Sequence, residues 1–167
     1  MGKFTLSHEI RCDEARFWES FFDDGFNEQL FREALRFDYK LLENSDRERE
    51  IVRRYTTTPK LELPGPVAKL VGPNLRVEEQ GRYDKAQRLW TWRMIPSVLA
   101  DKFHSDGKMY VEAIGTDRVR RVAEMSVEVK IFGLGGLMES TAEKAMRDAW
   151  NKTAVFHNQW LEKNKKA

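Results

Sequence analysis

The sequence predicts an α+β protein in which a curved antiparallel sheet of about six to seven strands wraps around one long C-terminal helix, with two short helices after the first strand. Three observations carry this. Asp117 to Phe132 alternates polar and apolar residues as one long strand, the hinge Gly133-Leu134-Gly135-Gly136 follows, and an amphipathic helix then reaches almost to Ala167. When the longest strand feeds the longest helix at the C-terminal end, the commonest architecture is a curved antiparallel sheet gripping that helix around an apolar hollow.

The remaining elements follow in order. Phe4, Leu6, His8 and Ile10 alternate with Lys3, Thr5, Ser7, Glu9 and Arg11, the pattern of a half-buried strand. Asp13 reads as an N-cap, and Ala15, Phe17, Trp18, Phe21 and Phe22 recur at helical spacing. Asp23-Asp24-Gly25 ends that helix, and a second is expected from Asn27 to Leu35. Strands are expected at Arg36 to Glu43 and Glu50 to Thr58, separated by Asn44-Ser45-Asp46. Pro64 to Pro73 breaks the sheet as a short helix, with Val67, Leu70 and Val71 as its small apolar face. Strands from Leu75 to Tyr83, Gln87 to Ile95 and Lys108 to Ile114 precede the last one, and Asp106-Gly107 reads as connection.

Composition excludes several classes. At 167 residues the chain reads as one domain over 1–167, long enough to bury about two-thirds of its unfolded surface. Its 29 Lys and Arg are interspersed with 27 Asp and Glu, so no basic stripe for nucleic acid stands out. No apolar run approaches a membrane span, and the one cysteine, Cys12, forms no internal disulfide, so a soluble cytoplasmic protein is expected. The three histidines, His8, His104 and His157, show no metal spacing and read as structural or solvated. Neither a Gly-x-Ser-x-Gly elbow nor a phosphate loop is present, so no catalytic residue, metal or cofactor is assigned.

The last strand and helix hold the two departures from pattern. Val119, Ala123, Met125, Val127, Val129 and Ile131 share one strand face, and parity places Arg121 among them. A guanidinium there must find a carboxylate, reach solvent at the strand end or over a bulge, or face a polar group of a ligand. The helix seam runs through Met138, Ala142, Ala145, Ala149, Thr153, Phe156 and Trp160. Its small middle permits either close helix-to-sheet contact or a space beside the helix. Trp90, Trp92 and Met94 share a face of their strand, and Phe17, Trp18, Phe21, Phe22, Phe26 and Phe31 crowd the helical pair. Such surfaces suit an irregular apolar guest, as they also suit a plain core.

With Pro64 through Gly72, Gly115-Thr116-Asp117-Arg118, and Val127 through Glu139 in place, the chain resembles the START-like (SRPBCC) superfamily with its helix-grip fold. More narrowly, it is similar to an uncharacterised bacterial START-like family of unknown function. The resemblance implies a cavity between sheet and terminal helix that binds a hydrophobic small molecule or lipid for carriage, transfer or sensing. Its expected lining is Trp90, Trp92, Met94, Met125, Val127, Val129, Met138, Ala142 and Ala145, with Arg121 as polar anchor and Leu70 and Leu134 as gates. Transient membrane contact and a monomer or weak dimer go with that reading. The alternatives are a polyketide cyclase or dehydratase working through Arg121, Tyr110 or Glu112, and a protein-interaction module whose core is filled.

Overall fold

The computed structural model describes residues 2–165. Seven antiparallel strands form one sheet: β1 (Gly2–Ile10), β2 (Asp38–Asp46), β3 (Glu50–Thr58), β4 (Val77–Asp84), β5 (Leu89–Pro96), β6 (Phe103–Gly115) and β7 (Arg118–Val129). Their spatial order is β1-β7-β6-β5-β4-β3-β2, so every neighbour pair is sequential except the β1–β7 closure. The helices are α1 (Glu14–Phe21), α2 (Asp24–Gln29), α3 (Gly65–Val71) and α4 (Gly135–Lys163). This is the helix-grip arrangement, with α4 lying along the concave face against β1 and β7. Lys166 and Ala167, towards which the helix was expected to reach, lie outside the described residues.

Local chemistry explains where the boundaries fall. Asp13 Oδ1 accepts from the Arg16 amide at 2.8 Å and caps α1. Asp23 does the same for Phe26 at 2.7 Å, so Asp23-Asp24-Gly25 starts α2 rather than merely stopping α1. The expected helix from Asn27 to Leu35 is thus shifted. It begins at Asp24 and widens into a π-helical turn over Leu30–Ala34, with the Leu35 amide on the Leu30 carbonyl at 2.9 Å. Arg36, at φ 59°, turns the chain out into β2. The last strand stops at Val129, short of Phe132, because the Ile131 carbonyl turns to accept from the Gly135 amide at 2.8 Å and leaves Phe132 wholly exposed.

Burial follows the predicted faces. Phe4, Leu6 and Ile10 of β1, and Val119, Ala123, Met125, Val127 and Val129 of β7, are all buried beneath α4 and α1. Each large apolar side chain so placed contributes roughly 1.5–3 kcal/mol. Polar latches fix α4 against the sheet. Glu139 Oε2 accepts from the Val129 amide at 3.0 Å, and Asn151 Oδ1 meets His8 Nε2 at 2.7 Å. Asn158 brackets the end of β1, accepting from the Arg11 amide at 2.8 Å and donating to the Glu9 carbonyl at 3.0 Å.

Candidate functional site

Between the sheet, α2, α3 and α4 lies a hollow of about 270 Å³. Its floor is built by β5. Trp90 and Trp92 lie flat across neighbouring strands, where a side chain on Gly81 would meet the Trp90 ring at 2.0 Å and one on Gly107 the Trp92 ring at 2.3 Å. Gly107 is therefore a mid-strand residue, which is why β6 begins at Phe103 and not at Lys108. The helix side of the wall is small and soft: Met138, Ala142, Ala145, Met146 and Ala149. Val67 and Val71 of α3, with Val98, Leu99 and Phe103, complete one end.

Of the residues expected to line the site, Trp90, Trp92, Met94, Arg121, Met125, Met138, Ala142 and Ala145 stand on this wall. Four do not. Val127 and Val129 are sealed in the core, where the start of α4 crosses that end of β7 and Glu139 bonds the Val129 amide. Leu134 packs at the foot of α4 without reaching the hollow. Leu70 is 39% exposed at the flank of α3, whose Val67 and Val71 are the residues that reach the hollow. The proposed catalysts Tyr110 and Glu112 also fall on the outer face of β6, where Glu112 is exposed and pairs with Arg120 at 3.4 Å.

Arg121 is buried in mid-strand, opposite His8 on one side and Val111 on the other, with no bulge at that point. Its guanidinium donates to Thr153 Oγ1 at 2.9 Å, the Trp150 carbonyl at 3.0 Å and His8 Nδ1 at 3.0 Å, while its Nε has no acceptor. The Trp150 ring lies 4.6 Å away and stacks in turn on Trp92 at 5.5 Å. Desolvation brings the guanidinium pKa down to about 9. Beside it His157 is 2% exposed, bonded through Nε2 to Ser20 Oγ at 2.7 Å, and burial holds its pKa down to about 3.

Parity along β3 holds a second polar group. Arg53, Tyr55 and Thr57 all face the hollow, and Glu79 stands across from Tyr55 on β4. Arg53 donates to the Phe21 carbonyl at 2.8 Å and lies against the Phe21 and Trp90 rings, at 4.5 and 4.9 Å. Burial raises the Glu79 carboxyl above its ordinary range, against the opposing pull of the Tyr55 hydroxyl and Arg53. The alternation that singled out Arg121 applies equally to Arg53, so this group was within reach of the sequence. Among the aromatics of the helical pair, Phe21, Phe26 and Phe31 reach the hollow, whereas Phe17, Trp18 and Phe22 pack on one another and on Tyr83. Cys12 is buried, its thiol pushed up to about 12 by desolvation, as befits a core filler. Among the described residues, no three His, Cys, Asp or Glu side chains converge as a metal site.

A family model described as a protein of unknown function (DUF2505) matches residues 5–161. No curated protein matches the chain. Solved structures match it along nearly its whole length. The Zhui aromatase/cyclase from Streptomyces sp. R1128 superposes with a TM-score of 0.69 at 12% identity, covering 99% of this chain and 96% of that one. A START superfamily protein from Mycobacterium smegmatis gives 0.62 at 12% identity, covering 95% and 98%. Norcoclaurine synthase from Thalictrum flavum, in complex with dopamine and hydroxybenzaldehyde, gives 0.64 at 16% identity, covering 99% and 89%. At these identities the likeness establishes the START-like fold.

Proposed function

We propose, for a chain that belongs to the DUF2505 family and carries a START-like fold, that its hollow binds a hydrophobic small molecule or lipid for carriage, transfer or sensing. The observation that carries this reading is the hollow itself, about 270 Å³ walled mainly by Trp, Met, Ala, Val and Phe side chains. That volume lies near the lower end of ordinary ligand sites and favours a compact guest. A guest burying about 200 Å² of apolar surface gains roughly 5 kcal/mol, from which the cost of ordering it is subtracted. A filled interaction module fits poorly, since the space exceeds that of a few water molecules.

Glu79 supports a second reading, a cyclase or dehydratase-like enzyme. It is an inward-facing acid with a raised pKa beside Tyr55 and Arg53, the combination that proton transfer to a bound chain would need.

Native mass spectrometry of the protein expressed in bacteria, followed by titration with fluorescent fatty acids and sterols, tests both. A co-purified or captured guest, recovered chemically unchanged, supports the carrier. A guest altered by the wild type but left intact by Glu79→Gln favours the enzyme. The absence of any guest and of any uptake would sink both readings.

A further inference from the structure

Resting on the reading of the hollow as a binding site, we infer that its guest is a carboxylate-bearing amphipath whose head docks on Arg121 and whose tail lies along Trp92, Met125 and Ala145. Arg121 is 4% exposed and stands on the wall of the hollow. Everything that holds it is neutral. A guanidinium can only donate, so His8 Nδ1 accepts with a bare lone pair; the other ring nitrogen, Nε2, faces Asn151 Oδ1 at 2.7 Å and carries the proton. The imidazole is thus uncharged, as are the Thr153 hydroxyl and the Trp150 carbonyl. No carboxylate of the described residues forms an ion pair with Arg121 or tempers its desolvation.

A buried cation without a counter-ion is costly, and its three bonds engage only part of its five N–H groups. The orphan Nε is the clearest sign of an absent acceptor. A carboxylate supplies both the charge and the acceptor in one group. Arg53 is the other buried cation on this wall, and its Nε is also unpartnered. It differs in having Glu79 close enough to act on it electrostatically, and its guanidinium is covered by the Phe21 and Trp90 rings. The uncompensated charge is therefore at Arg121.

Decanoate and 1-decanol, alike in chain and different in head, are the probes. At pH 7.5 decanoate is expected to bind the wild type at least tenfold more tightly than decanol. Arg121→Gln removes that preference and leaves decanol within about twofold, while Arg120→Gln, on the outer face of the same strand, retains it. Equal binding of acid and alcohol by the wild type, or a preference that survives Arg121→Gln, overturns the proposal and spares the hollow. Binding of neither probe overturns the hollow and the proposal together. A readout on the wild type alone guards against a variant that fails to fold. The carboxyl resonance of bound [1-13C]decanoate keeps its ionised shift at a pH where the free acid is protonated, and a bound carboxyl titrating at or above the free acid's range overturns the docking.

Discussion

His157 shows how a single side chain ties the fold to pH. It is stacked on Phe17 at 5.2 Å and tilted against Phe26 at 4.6 Å, with burial foremost and then Arg121 and Arg16 disfavouring its charged form. Its folded pKa of about 3 lies below the ordinary 6.5, so between those values the unfolded chain binds the proton and the folded one does not. Stability from this residue is present above about pH 6.5 and declines as the pH falls towards 3. At pH 4.5 the loss is on the order of 2–3 kcal/mol relative to pH 7.5. His8 is shifted the same way by burial and adds to the trend. Urea unfolding at both pH values is expected to show the acid loss reduced in His157→Gln; an unchanged loss refutes the assignment. The sequence left this histidine as structural or solvated, because its partner Ser20 lies 137 residues away and no periodicity links them.

The pairing of tryptophans with glycines belongs to the scale of elements. Gly81 and Gly107 occur in strands, where glycine weakens the ladder, and each gives up its side chain so that an indole can lie flat. Gly81→Ala is expected to destabilise by roughly 1–3 kcal/mol through overpacking. The cost should be largely relieved when Trp90→Leu is added, a coupling that a double-mutant cycle of thermal melts measures; additive effects would contradict the packing. This arrangement also marks where element-level reading reached its limit. Asp106-Gly107 is a strong turn signal in isolation, and only a ring contributed by another strand makes it strand. Likewise Asp23-Asp24-Gly25 carries both stop and start chemistry, and the sequence does not rank them. The periodic elements β1, α1 and α4 were legible because one face of each is apolar along most of its length.

Over the whole molecule, the architecture was readable from the order of its elements, while the hollow was readable only in part. Small residues at Ala142 and Ala145 left open close contact or a space beside α4, and the end of β7 at which that space closes is set where the start of α4 crosses it, with Glu139 bonded to the Val129 amide. Ala145→Phe places a ring in the void. The variant is expected to melt at or above the wild-type temperature, since the added contacts replace empty space, and to take up fluorescent fatty acid at least tenfold more weakly. Unchanged uptake by a folded variant would place the guest elsewhere.

The β1–β7 pairing has a further consequence, in time. Of the seven strands of this sheet β1 leaves the ribosome first, yet its hydrogen-bonding partner begins at Arg118. At about 5–20 residues per second, Phe4, Leu6 and Ile10 wait several seconds to tens of seconds with no ladder to join. Through that interval the nascent chain presents an open apolar strand, a substrate for holding chaperones. β1 can join the sheet only once synthesis has carried the chain through Arg118–Val129.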